Sequence, residues 1–151
     1  MNSSTDQLKT LLEVRENELE AAVHKLVEKR SGLERGLSKL RTLHREKTRI
    51  SEEVASEVGD GPFEPVIHGR YLARLRREVM RLNREITGLQ EIVDIARSKV
   101  KSAHGRHGVV ELLIDQRKEK ELLFQSQRDQ RLADGDACQR FVANENRSEA
   151  N

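Results

Sequence analysis

Tryptophan is absent, and the aromatic side chains come down to Phe63, Tyr71, Phe124 and Phe141. Aromatics supply much of the buried area in a globular core, so a compact domain of 151 residues with so few is not the expected solution. A lone cysteine, Cys138, rules out an intramolecular disulfide and fits a reducing compartment. No apolar run approaches the roughly 18 residues of a membrane-spanning helix. The opening MNSSTDQ lacks the basic and apolar blocks of a secretion signal, so cytoplasmic residence is expected. Neither sign of charge dominates: 28 Lys and Arg against 26 Asp and Glu leave +2. Global attraction to nucleic acid or membrane is not indicated.

What is present is charge and periodicity. Charged residues make up 36% and apolar ones 35%. Leu72, Leu75, Val79, Leu82, Ile86, Leu89, Val93, Ala96, Val100 and Ala103 keep a strict 3,4 spacing. Two apolar positions in seven form a seam too narrow for a globular core and suited to a left-handed coiled coil. Sustained heptads separate this chain from the disordered polyampholytes that share its composition.

An earlier heptad series runs through Leu12, Leu19, Leu26, Leu33 and Leu40, with Glu16, Val23, Arg30 and Leu37 between. It continues through Leu43, Lys47, Ile50 and Val54. The 3,3 step from Leu37 to Leu40 to Leu43 predicts a stammer that overwinds the coil. A first helix is expected over 6–57, with Thr5 or Asp6 as N-cap. The segment Gly59-Asp60-Gly61-Pro62-Phe63-Glu64-Pro65 is the strongest breaker and predicts a loop at 59–65. A second helix is expected over 67–142, with a frayed tail at 143–151. Gly88, Gly105, Gly108 and Gly135 each cost about 1 kcal/mol against Ala inside it, and Gly105 with Gly108 mark the expected bend.

Placing the hinge at Phe63 tests whether the two helices fold back on each other. Val54 then faces Leu72, Leu40 faces Ile86, Leu37 faces Leu89, Leu33 faces Val93, Leu26 faces Val100 and Leu12 faces Ile114. Apolar meets apolar along nearly the whole first helix, and Arg30 falls opposite the small Ala96, leaving room for its stem to reach water. The expected fold is all-α: a long two-helix antiparallel coiled-coil hairpin. At 1.5 Å per residue the arms span about 80 and about 110 Å, so the second helix overhangs the first from about Glu121. That overhang carries Leu122, Leu123, Phe124, Leu132, Phe141 and Val142, a candidate partner-binding face.

Chemistry is sparse. There is no glycine-rich phosphate loop, nucleophile elbow or cysteine pair. His104 and His107 lie three apart with His24 nearby in the hairpin register, yet no carboxylate or thiol ligand accompanies them, so solvated or seam-edge histidines are expected rather than zinc. Arg70, Arg74, Arg76, Arg77, Arg81 and Arg84 crowd the start of the second helix among Glu78 and Glu85. A solvated face, an acidic protein partner and nucleic acid are the readings in descending order; the arginines overlap the heptads instead of preceding them, unlike a basic zipper.

The second helix also carries a motif. Its end reads Arg128, Asp129, Gln130, Arg131, Asp134, Ala137, Arg140 and Phe141, on the pattern R-E-Q-K-x-x-D-E-x-A-x-x-R-F. With the preceding L-x-x-L-x-x-E-V and V-E-L-L-x-x-Q-R segments, the chain resembles the FliJ family of the bacterial flagellar type III export apparatus. The resemblance implies one coiled-coil domain over 1–151. It also implies a non-enzymatic stalk without cofactor, metal or small-molecule substrate, peripheral to the cytoplasmic face of the inner membrane. Its implied partners are the export ATPase ring, the cytoplasmic domain of the export gate and export chaperones. The family's gate contact matches Tyr71, Leu75, Glu78 and Leu82; its ATPase contact matches Lys39, Leu43, Glu46 and Ile50. The equivalent stalk of a virulence type III secretion system, and a generic coiled-coil scaffold or nucleic-acid binder, are the alternatives.

Overall fold

A computed structural model describes residues 2–57 and 65–150. They form two helices, α1 (Asn2–Glu57) and α2 (Pro65–Glu149), and no strand occurs among them. Residues Gly59 to Glu64 of the expected loop lie outside the described residues. α2 runs to Glu149, beyond the expected end at 142, and is unbroken through Gly88, Gly105, Gly108 and Gly135. Both helices are rich in Leu, Glu, Lys and Arg, which lose little rotamer freedom in a helix. Exposed threonines accommodate to it: Thr10, Thr42, Thr48 and Thr87 each donate to the carbonyl four residues back. Arg49–Glu53 at 3.1 Å, and Arg74–Glu78 and Arg81–Glu85 at 3.9 Å, add i,i+4 pairs worth a few tenths of a kcal/mol each.

Packing divides the chain into two units, 17–105 and 2–16 with 106–151. In the first, Gly32 and Gly36 of α1 lie against Ile86 and Leu89 of α2, while Glu46 lies against Tyr71. Partner numbers fall as α1 numbers rise, so the helices are antiparallel. In the second, Glu16 meets His107 at 3.5 Å and Ser4 accepts a hydrogen bond from Arg117, again antiparallel. The helical hairpin expected from the heptads is the fold observed.

The α2 seam is as the spacing requires. Leu75, Val79, Leu82, Ile86, Val93, Ala96 and Ala103 are buried, and Leu72, Leu89 and Val100 are half-buried. In the other unit the 3,4 spacing passes through half-buried His107 to buried Val110 and Ile114.

The α1 seam differs in places by one residue. The heptad leucines Leu12, Leu19, Leu26, Leu33 and Leu40 are half-buried as expected; between them Arg15 and Ala22 are half-buried in place of the exposed Glu16 and Val23, Lys29 and Arg30 are both exposed, and Gly36 is buried beside the half-buried Leu37. Val23 and Val27 are 42% and 54% exposed, Arg30 is exposed, and Gly36 is buried. Counted from Gly36, the step to Leu40 and Leu43 is an ordinary 4,3, with Leu37 half-buried at the edge of the seam. At Gly36 the lack of a side chain lets α2 approach the α1 backbone: a Cβ there would sit 3.4 Å from Ile86 Cγ1 and from Leu89 Cδ1.

The register moves with it. Ile86, expected opposite Leu40, packs on Gly36, one turn earlier. α1 ends at Glu57 and α2 begins at Pro65, so the two described ends are centred two residues before the expected Phe63. A two-residue move of the hinge shifts every partner by four residues, close to the 3.6 of one turn, so apolar still meets apolar.

Gly36 therefore separates two substitutions. Gly36→Ala should stabilise the protein by up to about 1 kcal/mol, because the methyl enters ordinary contact and helix propensity improves. Gly36→Leu should destabilise it by about 1–3 kcal/mol through overpacking. Urea denaturation followed by circular dichroism checks both; a neutral Leu variant would mean that Gly36 is not in the seam.

Candidate functional site

The loop-proximal half of unit 17–105 carries the one surface on which both sets of partner-binding candidates meet. Ser38, Lys39, Thr42 and Leu43 of α1 and Glu78, Arg81, Leu82 and Glu85 of α2 line an open groove of about 370 Å³. Helical spacing sets its form. Lys39 and Leu43 are one turn apart on the flank of the α1 seam, as are Glu78, Leu82 and Glu85 on α2. Leu43 and Leu82 make the floor where the seam opens outward. Lys39 on one wall faces Glu78, Arg81 and Glu85 on the other, so the rim carries both signs of charge.

Nearer the hinge, Tyr71 donates a hydrogen bond from its hydroxyl to the Glu46 carboxylate across the two helices. That bond favours the protonated phenol and holds the Tyr71 pKa above its ordinary 10. Partial desolvation and the Glu46 charge act the same way, and the nearby Arg49 and Arg74 oppose them. A candidate from each list is thereby tied to one from the other: Tyr71 to Glu46 by this bond, and Glu78 with Leu82 to Lys39 with Leu43 by the groove.

The remaining candidates are placed differently. Leu75 and Ile50 are 4% and 5% exposed and lie in the seam, and Leu82 is 8% exposed at the groove floor. Tyr71 and Lys39 are exposed and Leu43, Glu46 and Glu78 half-buried, whereas Leu75 and Ile50 are packed between the helices. Spacing alone does not distinguish these two groups, because both lie on the same helical stripe.

The C-terminal box has no cover among the described residues. Arg128, Asp129, Gln130, Arg131, Asp134, Ala137, Arg140 and Phe141 are all exposed, as is every described residue after Ile114. Leu123 and Phe141, and Phe124 and Val142, are eighteen residues apart, five full turns, so they fall in two apolar patches on one side of the helix. The four side chains are between 53% and 66% exposed.

No group of three or more His, Cys, Asp or Glu among the described residues is arranged to hold a metal. His24 pairs with Glu28 of its own helix at 3.6 Å, and His104 is exposed. His107 is the one drawn into the packing: its side chain is 15% exposed, with Glu16 at 3.5 Å across the helices and Glu111 at 3.7 Å. No described helix is long and apolar enough to cross a membrane.

A family model, the flagellar FliJ protein, matches residues 4–146, which takes in both helices, the groove and the C-terminal box. The chain belongs to the FliJ family. It is accordingly a coiled-coil protein related to flagellar export. Comparisons with curated proteins and with solved structures return no match.

The Tyr71–Glu46 bond is directly measurable, because Tyr71 is the single tyrosine and tryptophan is absent. The phenolate absorbance of the folded protein should rise at a pH above the ordinary 10, and Glu46→Gln should bring the midpoint down. Since the folded pKa is raised, the stabilisation from this bond is complete below pH 10 and fades as pH climbs through the folded value. Coincident titrations of the two proteins would remove the bond from the account.

Proposed function

We propose that this FliJ-family protein is a non-enzymatic stalk of the bacterial flagellar type III export apparatus. It seats in the ring of the export ATPase and stimulates it, touches the cytoplasmic domain of the export gate, and escorts empty export chaperones. It works at the cytoplasmic face of the inner membrane through those partners. The family match over 4–146 carries this reading. The two-helix seam supports it, since a helix pair offers long accessible flanks for partners and little interior for a substrate.

The Lys39–Leu43–Glu46 flank serves the ATPase and the Tyr71–Glu78–Leu82 flank serves the gate. Both flanks border one groove, which favours a stalk that engages the two partners in alternation. The exposed patches at Leu123–Phe124 and Phe141–Val142 are the chaperone-facing part.

ATP hydrolysis by the cognate export ATPase, with and without this protein, is the primary test. Stimulation should be saturable and should be lost when either the hairpin end or residues 121–149 are removed. Added gate domain should lower the stimulation by competition. Absence of both stimulation and co-sedimentation would sink the stalk reading; stimulation indifferent to the gate domain would sink the shared surface. Substitutions separate contact from scaffold: Tyr71→Ala should weaken gate binding at unchanged helicity, whereas Leu75→Ala should cost about 2–5 kcal/mol of stability before binding is considered.

A further inference from the structure

A second surface of unit 17–105 lies away from the hinge and is not explained by the seam. Ile92 and Ile95 of α2 are 42% and 56% exposed. In a two-stranded coil the positions outside the seam are ordinarily polar, and Val93 and Ala96 already fill the seam here. The two isoleucines border a groove of about 150 Å³ whose lining is almost wholly apolar side chain and alkyl stem. Its floor includes Ala96 and Ala22, whose small size creates the hollow. Three lysines stand around it: Lys25 and Lys29 from α1 and Lys99 from α2, and no carboxylate lines it. The chain as a whole is nearly neutral, so a groove edged by three cations and no anion is a local departure. Lysine stems cover apolar surface while their ammonium groups remain in water, where they can meet an incoming anion.

We propose that this groove is a docking site for an acidic amphipathic helix of a partner protein, an occupant separate from those assigned to the hinge-proximal groove. An apolar side chain of that helix enters the hollow between Ile92, Ile95 and Ala96. Carboxylates one turn on either side pair with Lys25, Lys29 and Lys99. Lys25 and Lys29 are one turn apart on α1, a spacing that two carboxylates at i and i+4 on a helix lying alongside would match. The charge pattern favours this occupant over the others. A phosphate backbone would use the lysines and leave the isoleucines in water. A bilayer surface would take up the isoleucines only with a broader apolar face, which α2 does not have here because its opposite side is committed to α1. A second copy of this groove would bring lysine against lysine.

Fluorescence anisotropy with the full-length protein tests the proposal. The probe is a labelled 21-residue helical peptide with one leucine row edged by glutamates; its control replaces the glutamates with lysines. The glutamate peptide should bind with an affinity that falls as salt rises, and the lysine peptide should not. Lys25→Glu/Lys29→Glu/Lys99→Glu should weaken binding at least tenfold, and Ile92→Ser/Ile95→Ser should do so separately. Both sets of side chains sit at the surface, and circular dichroism confirms that the helices persist. Either variant binding as wild type, equal affinity for the two peptides, tighter binding of a 20-base-pair duplex or of phosphatidylserine vesicles, or self-association through this face in sedimentation would overturn it. ATPase stimulation by the lysine variant should be retained, so failure here and failure of the stalk reading are told apart.

Discussion

Everything in this protein depends on a seam two residues wide. Two helices have no third element to complete a core, so each can hide only the stripe that faces its partner. The stripe must then be close-packed, and the two sides solve this differently. α2 contributes the bulk of the buried side chains, from Leu75 through Ala103 and again at Val110 and Ile114. α1 contributes leucines spaced by other residues: Ala22 and Gly36 let the chains approach, while Arg15 carries charge outward. Among the α1 residues whose burial is described only Gly36 and Ile50 are buried. The helix covers its partner more than it is covered.

That asymmetry has a consequence for function. A seam this narrow leaves most of each helix in water, so the surface, not an interior, is where chemistry can be selective. The polar majority of that surface is unremarkable, with i,i+4 pairs such as Arg74–Glu78 that contribute little. The informative places are those where the seam's rules are broken. Tyr71 reaches across to Glu46; Leu43 and Leu82 open the seam outward into a groove; Ile92 and Ile95 are apolar where the coil has no use for them. Each departure lies on a flank where both helices contribute, the geometry a partner helix would read.

Fold and topology were legible because their signals are redundant. Ten α2 positions repeat one spacing, five α1 leucines repeat another, and two prolines with two glycines mark one break. The α1 register was harder. Reading by apolarity chose Val23, which is exposed while Ala22 is half-buried, and passed over Gly36, which is buried beside Leu37 because the α2 side chains required absence of bulk there. Glycine in a helix reads as a weakness until its neighbours are known, and a 3.4 Å approach is a property of the pair, not of the residue. The hinge error was invisible for a related reason: a shift of four residues is nearly one helical turn and preserves the apolar matching that was used to judge it. Of the candidate contacts, the helix and stripe were readable from spacing, but spacing assigns Leu75 and Tyr71 to the same stripe. Only packing divides the residue that holds from the residue that touches.

The C-terminal part of α2 extends the same reasoning. Past Ile114 the 3,4 spacing would place Arg117, Glu121, Phe124, Arg128, Arg131, Gly135, Cys138 and Val142 in the seam, and that series is mostly polar or small. A helix with so few apolar seam residues gains little by pairing with another strand of this coil. Yet it keeps Leu123 with Phe124 and Phe141 with Val142 as two patches on one side, with Gln127, Gln130, Arg131 and Asp134 between. Two apolar anchors about 27 Å apart, held in phase by an uninterrupted helix of five turns, suit a surface that is read from outside at two points.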